Sequence, residues 1–169
     1  LFLVFLSTMM IPWEATIIPN YLMIKKIGWT DTFQGLAVPF MATGFGTFLL
    51  RQFFLKIPME LRDAAVMDGC GHLRFLWTIV LPLGRPALGT LAVYSFLQTY
   101  NQYLWPLLIT NNEMMRTVQI GIALLQDEER FMYNNVMAGV VLILIPTFAL
   151  FLISNRQLIR GLTAGAVKG

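Results

Sequence analysis

The sequence is poor in the residues that build disulfides, metal sites and charged surfaces. Its single cysteine, Cys70, excludes an internal disulfide and any site with several thiolates, and its single histidine, His72, leaves no ligand cluster for a metal. Charged residues make up only 12% of the chain, whereas hydrophobic residues make up 57%. Because a soluble domain carries about 25% charged residues, water is not the main solvent of this chain.

Long stretches without charge predict membrane helices. They cover residues 32–50, 86–112 and 131–155, and a helix needs about 20 mostly apolar residues to cross a bilayer. A further apolar run at residues 1–24 is interrupted by Glu14, a costly residue at membrane depth. The sequence therefore predicts an all-α, polytopic membrane protein with about four transmembrane helices. The predicted spans are residues 1–24, 33–55, 86–110 and 132–154.

The basic residues predict the orientation of these spans. Eight of the twelve lysines and arginines lie between Arg51 and Arg85 or after residue 155, and the other four lie in the remaining loops. By the positive-inside rule, the loop of residues 56–85 and the C-terminus are cytoplasmic, and the loop of residues 111–131 is external. The net charge of +3 comes from loops beside spans, so it signals topology and not a nucleic-acid site.

The cytoplasmic loop has the signals of a helix, a turn and a second helix. Pro58 suits the first turn of a helix, and Gly69 supplies its stop. A second short helix is predicted from about His72 to Val80, where Pro82 would end it. Such a projecting hairpin could be a docking site for another protein, or merely a surface hairpin that lies against lipid headgroups.

The spacing of this loop favours docking of another protein. It reads Asp63-Ala64-Ala65, three residues, Gly69, nine residues, then Ile79-Val80-Leu81-Pro82. This spacing resembles the cytoplasmic docking signature of permease subunits of binding-protein-dependent ABC importers, in which Glu usually stands at the position of Asp63. Asn101–Leu108 and Arg160–Gly169 are similar to segments of permeases for glycerol-3-phosphate and for sugars. Such permeases usually have six spans, so we expect this chain to lack the first two.

The resemblance implies a non-catalytic subunit of an ATP-driven importer in a bacterial or archaeal plasma membrane. It would form half of the pore for a carbohydrate or glycerol-3-phosphate. Its expected partners are a second permease subunit, a cytoplasmic ATPase dimer, an external substrate-binding protein and membrane lipid. No nucleic-acid partner is expected. The chain itself is expected to bind no cofactor, because ATP and Mg are used by the ATPase. The residues expected to dock on the ATPase are Asp63, Ala64, Ala65, Met67, Asp68, Gly69, Ile79, Leu81 and Pro82.

Two further segments carry predictions about transport. Tyr94, Gln98, Asn101 and Gln102 follow i, i+4, i+7 and i+8 spacing, which predicts a polar stripe on one face of the third span. The stripe could line the transport path or make hydrogen bonds to a neighbouring helix. The external loop is too apolar for a solvated connector, so we expect it to be partly helical and to enter the pore mouth or contact the binding protein.

Other function classes fit less well. A secondary transporter or channel subunit would be expected to carry ionisable residues inside its spans, and only Glu14 qualifies. An intramembrane enzyme would need a nucleophile and base, or metal ligands, at a common depth. His72 lies in the predicted cytoplasmic loop, and no paired acids occur in the predicted spans. The sequence thus predicts no catalytic residue.

Overall fold

The computed structural model describes residues 7–125 and 133–163, the last nine of these by their backbone alone. Helices make up all the regular secondary structure of these residues. The α-helices are α1 Trp13–Lys26, α2 Phe33–Ala37, α3 Gly44–Phe54, α4 Met59–Met67, α5 His72–Phe75, α6 Leu81–Leu83, α7 Arg85–Tyr100, α8 Leu104–Ile109, α9 Val118–Leu124 and α10 Tyr133–Thr163. Short 3₁₀ turns cover Thr8–Met10, Val38–Phe40 and Glu113–Met115, and a π-helical turn, Leu76–Val80, joins α5 to α6.

One helix of the described residues is by itself long and apolar enough to cross a membrane. It is the Tyr133–Ser154 part of α10, with 22 residues. Two bent pairs also pass the test of length and composition: Phe33–Phe40 with Gly44–Phe54, bent by 46°, and His72–Leu83 with Arg85–Tyr100, bent by 75°. The described residues thus supply between one and three candidate spans.

The predicted spans correspond unevenly to these helices. The span predicted at 132–154 coincides with the long apolar part of α10, and the one at 33–55 coincides with the first bent pair. For the span predicted at 1–24, residues 1–6 lie outside the described residues, and α1 has only 14 residues. Four crossings therefore remain a prediction.

The segment of the predicted third span, 86–110, is not one continuous helix, and its crossing of the membrane stays a prediction. α7 ends at Tyr100, and α8 begins at Leu104, after three intervening residues. The physical reason is Pro106, which lacks an N–H group and would clash with the carbonyl of Gln102 in a continuous helix. Because α8 starts at Leu104, Pro106 falls in its first turn, where N–H groups have no partner within the helix.

The chain forms two compact units. The first consists of Leu1–Gly44 and Ser95–Leu152, and the second of Phe45–Tyr94 and Ile153–Gly169. The core of the first unit contains the fully buried side chains of Ile24, Trp105 and Ile109. Its partly buried neighbours are Trp13, Ile17, Tyr21, Trp29, Leu36 and Phe40.

Trp105 organises this core. Its ring packs edge-on against Trp13 with centroids 5.7 Å apart, and its Nε1 donates a hydrogen bond of 3.1 Å to the carbonyl oxygen of Gly35. Gly35 is buried, and a Cβ at this position would overlap the carbonyl oxygen of Trp29. Glycine therefore lets the start of α2 lie directly against the chain that precedes it.

Candidate docking hairpin and external segment

The candidate docking hairpin, residues 58–83 and called the docking hairpin below, lies within the second unit. Its first helix, α4, begins after Pro58, whose backbone is extended, and carries Glu60 in its first turn. A carboxylate there interacts favourably with the positive end of the helix dipole. The start of the hairpin thus follows from its local sequence.

The turn of the hairpin is a Schellman motif. The N–H of Cys70 donates to the carbonyl of Ala65 at 2.8 Å, and the N–H of Gly69 donates to Val66 at 3.0 Å. Gly69 has φ of +69°, a conformation that side chains with a Cβ rarely adopt. The prediction that Gly69 stops the first helix is confirmed.

The second half of the hairpin is longer than predicted. α5 begins at His72 and continues through the π-helical turn into α6, so the prediction that Pro82 ends this helix is wrong. Because α6 starts at Leu81, Pro82 lies in its first turn and costs no hydrogen bond within that helix. In the π-helical turn, the hydroxyl of Thr78 donates to the carbonyl of Arg74 at 2.6 Å. The helical path ends at Gly84, where the bend of 75° follows.

The structure places most of the predicted docking residues of the first helix at the surface. Asp63, Ala64, Met67, Asp68 and Gly69 are exposed, and Met67 retains 89% of its accessible surface. In the second half, Pro82 is exposed, whereas Ile79 and Leu81 are partly buried.

Ala65 departs from the expected surface position. It is only 6% exposed and lines a small, partly open pocket of about 30 Å³ together with Phe75. The predicted shallow face at both alanines is therefore wrong for Ala65, because this side of α4 faces the second half of the hairpin. A large side chain at Ala65 would disturb the hairpin itself and would not test docking.

The outer surface of the hairpin is unusually apolar. Val66, Leu73 and Trp77 are 63%, 75% and 69% exposed, in addition to Met67. Sequence reasoning did not single out Leu73 or Trp77 for docking, although their apolar character in a predicted cytoplasmic loop was a usable signal. Exposed apolar side chains of this kind, rimmed by charged residues, are typical of surfaces that bind another macromolecule.

The predicted polar stripe is only partly on a helix. Tyr94 and Gln98 lie one turn apart on α7, and the ring of Tyr94 packs 4.2 Å from that of Phe45. Asn101 and Gln102 lie beyond the end of α7, where the side chain of Asn101 donates to the carbonyl of Leu97 at 2.8 Å. The prediction of one helical stripe through all four residues is wrong, and the reason is the break imposed by Pro106.

The segment predicted to be external, Asn111–Leu125 and called the external segment below, is partly helical, as expected. Its helix α9 is anchored in the first unit: Ile120 is 2% exposed, and the side chain of Gln119 donates to the carbonyl of Tyr100 at 3.2 Å. Residues 126–131 of the predicted external loop lie outside the described residues. Contact of this segment with a pore or a binding protein stays a prediction.

A clamp at Asp31 holds the start of the external segment. The carboxylate oxygen Oδ1 accepts the backbone N–H groups of Asn111 at 2.6 Å and Asn112 at 2.8 Å, and the N–H of Asp31 donates to Ile109 at 2.9 Å. The N–H of Asn112 is the largest cause that lowers the pKa of Asp31 below its usual range. Sequence reasoning missed this residue, because its partners lie about 80 positions away in the chain.

Asp31 also adopts an uncommon backbone conformation. Its φ is +53°, which Asp and Asn tolerate better than most residues.

Among the described residues, no group of three or more histidine, cysteine or acidic side chains could hold a metal ion.

Most of the chain matches a known protein family. Residues 1–163 match the model of the family described as binding-protein-dependent transport system inner membrane component. The chain belongs to this family. It is a membrane protein family, which agrees with the all-helical fold and the apolar helix in α10.

Individual relatives carry a more specific name. The chain is 43% identical over 162 residues to the sn-glycerol-3-phosphate transport system permease protein UgpE of Yersinia enterocolitica, covering 95% of this chain and 57% of the relative. It is 41% identical over 157 residues to the proteins of the same name in Rhizobium meliloti and Agrobacterium fabrum, covering 92% of this chain and 56% of each relative. The chain thus spans just over half the length of the relatives it matches.

Proposed function

We propose that this chain is part of a permease subunit of an ATP-driven importer and that the importer carries sn-glycerol-3-phosphate. The family match over residues 1–163 carries the proposal, and the relatives at 41–43% identity support the substrate. The subunit forms half of the pore with a second permease subunit and receives substrate from a binding protein. It is not catalytic and binds no cofactor, since ATP and Mg are used by a separate cytoplasmic ATPase.

The docking hairpin is the contact with that ATPase. Its exposed apolar surface around Met67 and Leu73 supports this role, since such surfaces bind partners. The carboxylates of Asp63, in the middle of α4, and of Asp68, its C-cap, are both exposed and can pair with basic groups of the partner. A short helix held by its own turn can transmit movement as a stiff body, which coupling between two subunits requires.

The experiment compares two methionines of equal exposure. Met67, in the hairpin, and Met114, in the external segment, both retain 89% of their accessible surface. Burying a methionine contributes about 1.5–3 kcal/mol, so Met67→Asp should weaken ATPase binding about tenfold or more. Met114→Asp should leave ATPase binding unchanged. Binding is measured by titrating the purified ATPase against the reconstituted permease complex.

Two readouts decide the proposal. Uptake of labelled sn-glycerol-3-phosphate into proteoliposomes should require the binding protein and ATP, and Met67→Asp should reduce it. Equal ATPase affinity for both variants would refute docking at the hairpin. Uptake of another solute in place of sn-glycerol-3-phosphate would refute the substrate and leave the importer class intact.

The proposed orientation places the hairpin in the cytoplasm and the external segment outside, in a multi-pass arrangement. In a Cys70→Ser background, a cysteine at Glu113 should react with an impermeant thiol reagent in intact cells, and a cysteine at Lys56 should react only after lysis. Both positions are exposed, so access to the reagent depends on the side of the membrane. The reverse labelling pattern would overturn the orientation.

A further inference from the structure

An apolar groove lies at the base of the docking hairpin. It encloses about 290 Å³, close to the lower end of the roughly 300–1,000 Å³ typical of ligand pockets. One wall comes from the chain between α3 and α4, including Phe54, Ile57 and Pro58. The opposite wall comes from Leu76 and Val80 of the π-helical turn. The groove therefore separates the end of a candidate span from the second half of the hairpin.

A single charged residue, Arg62, lines this groove. It also lines the neighbouring pocket of about 30 Å³ beside Ala65. Among the described side chains, no carboxylate lies within 4.0 Å of its guanidinium. A permanently charged guanidinium beside an apolar slot favours a ligand that joins an anion to a hydrocarbon chain.

The position of the groove identifies the source of such a ligand. Phe54 is the last residue of α3, the second helix of the bent pair that passes as a span. In the orientation of the proposed function, on which this inference rests, that end lies at the cytoplasmic headgroup layer. Basic pockets between membrane helices at this depth bind anionic lipid headgroups.

We propose that the groove binds one anionic phospholipid. Its phosphate pairs with the guanidinium of Arg62, and part of an acyl chain packs against Ile57, Leu76 and Val80. A soluble phosphate would leave the apolar walls exposed to water, whereas a lipid buries them. The bound lipid braces the base of the hairpin against the end of the span. Coupling between ATP hydrolysis and transport should therefore depend on anionic lipid.

The test uses the assembled transporter in nanodiscs of phosphatidylcholine with or without phosphatidylglycerol. Native mass spectrometry counts the phosphatidylglycerol molecules that each complex retains after transfer to detergent. Arg62→Gln should retain one fewer, and Arg62→Lys should retain the parent number because it keeps the charge. Arg74→Gln is the matched control, because Arg74 is exposed in the same hairpin but does not line the groove.

A second variant tests the apolar walls. Ile57→Trp should fill the groove and displace the lipid while Arg62 stays in place. In liposomes, phosphatidylglycerol should stimulate parent uptake at least fivefold, and Arg62→Gln and Ile57→Trp should lose most of that stimulation. Equal lipid retention by Arg62→Gln and Arg74→Gln would overturn the proposal. So would a photo-crosslinker at Ile57 that labels the ATPase in place of lipid.

Failure here is distinguishable from failure of the proposed function. Lipid retention is counted on the assembled transporter without substrate or ATP, so it is independent of transport. Loss of uptake with Arg62-dependent retention intact would count against the importer assignment alone. Normal uptake with no retained lipid would count against the lipid site alone.

Discussion

The two glycines of the hairpin turn provide the sharpest test of its local structure. Gly69 has φ of +69°, and Gly71 has φ of −70°, yet an added Cβ at either position would meet no atom within 4 Å. Packing is thus the same for both, and the backbone conformation alone distinguishes them. Gly69→Ala should cost about 1–2 kcal/mol, because a Cβ is unfavourable in the left-handed region.

The control should have little effect. Gly71→Ala places alanine in an extended conformation that it adopts freely, and the gain through the unfolded state is offset because Gly71 is the N-cap of α5, where glycine is preferred to alanine. Gly69→Asn should cost less than Gly69→Ala, since Asn tolerates positive φ. Gly69→Val should cost more, because its Cβ is branched.

Amide hydrogen exchange reads these differences at the affected bonds. The N–H groups of Gly69 and Cys70 donate to Val66 and Ala65, so opening of the turn exposes both to exchange. A loss of 1–2 kcal/mol corresponds to roughly 5–30-fold faster exchange of these amides in Gly69→Ala. Mass spectrometry of peptides across the turn, on the intact complex, measures this rate. Equal exchange in Gly69→Ala and Gly71→Ala would refute the assignment of the turn to the Schellman glycine.

The remaining predictions concern the first unit. Gly35→Ala should lower stability by about 3 kcal/mol, since its Cβ would overlap the carbonyl oxygen of Trp29. Gly121→Ala has open space around it and should stabilise α9. Thermal unfolding of the complex measures both changes. The pKa of Asp31 is lower in the folded chain than in the unfolded chain. Its carboxylate therefore stabilises the folded state fully when the pH is above the unfolded-state pKa. This stabilisation is lost as the pH falls through the folded-state pKa. The unfolding temperature of the parent should therefore drop further below about pH 4 than that of Asp31→Asn, and parallel curves would contradict the clamp.

The features that the sequence predicted correctly depend on neighbouring residues. The helix stop at Gly69 follows from glycine chemistry, and the helix in the external segment follows from its apolar composition. The break before Pro106 was only partly available from the sequence, since proline weakens a helix over the preceding turn, yet α1 continues through Pro19 and α10 through Pro146. The long charge-free stretch concealed it, because composition shows the length of an apolar segment and not its continuity.

Other features required the packed structure. The burial of Ala65 depends on which side of α4 meets the second half of the hairpin, and two adjacent alanines give no signal to choose between sides. The clamp at Asp31 depends on amides 80 and 81 positions away. Neither the burial of Ala65 nor the hydrogen bonds of Asp31 leave a periodic pattern in the sequence. The sequence could therefore predict the hairpin and its class of partner but not which side of α4 is buried.

The hydrogen bonds of the two units differ in range along the chain, and the difference bears on coupling. The turn of the hairpin is held by bonds as short in sequence as the one from Cys70 to Ala65. In the first unit, side-chain bonds such as that of Trp105 to Gly35 join residues 43 to 81 positions apart. Hydrogen bonds within one segment stay intact when its surroundings rearrange. Hydrogen bonds between residues far apart in the sequence depend on the relative positions of separate helices. A hairpin held locally can therefore move as a body, and the proposed lipid groove lies at the base of that body, beside the end of a candidate span.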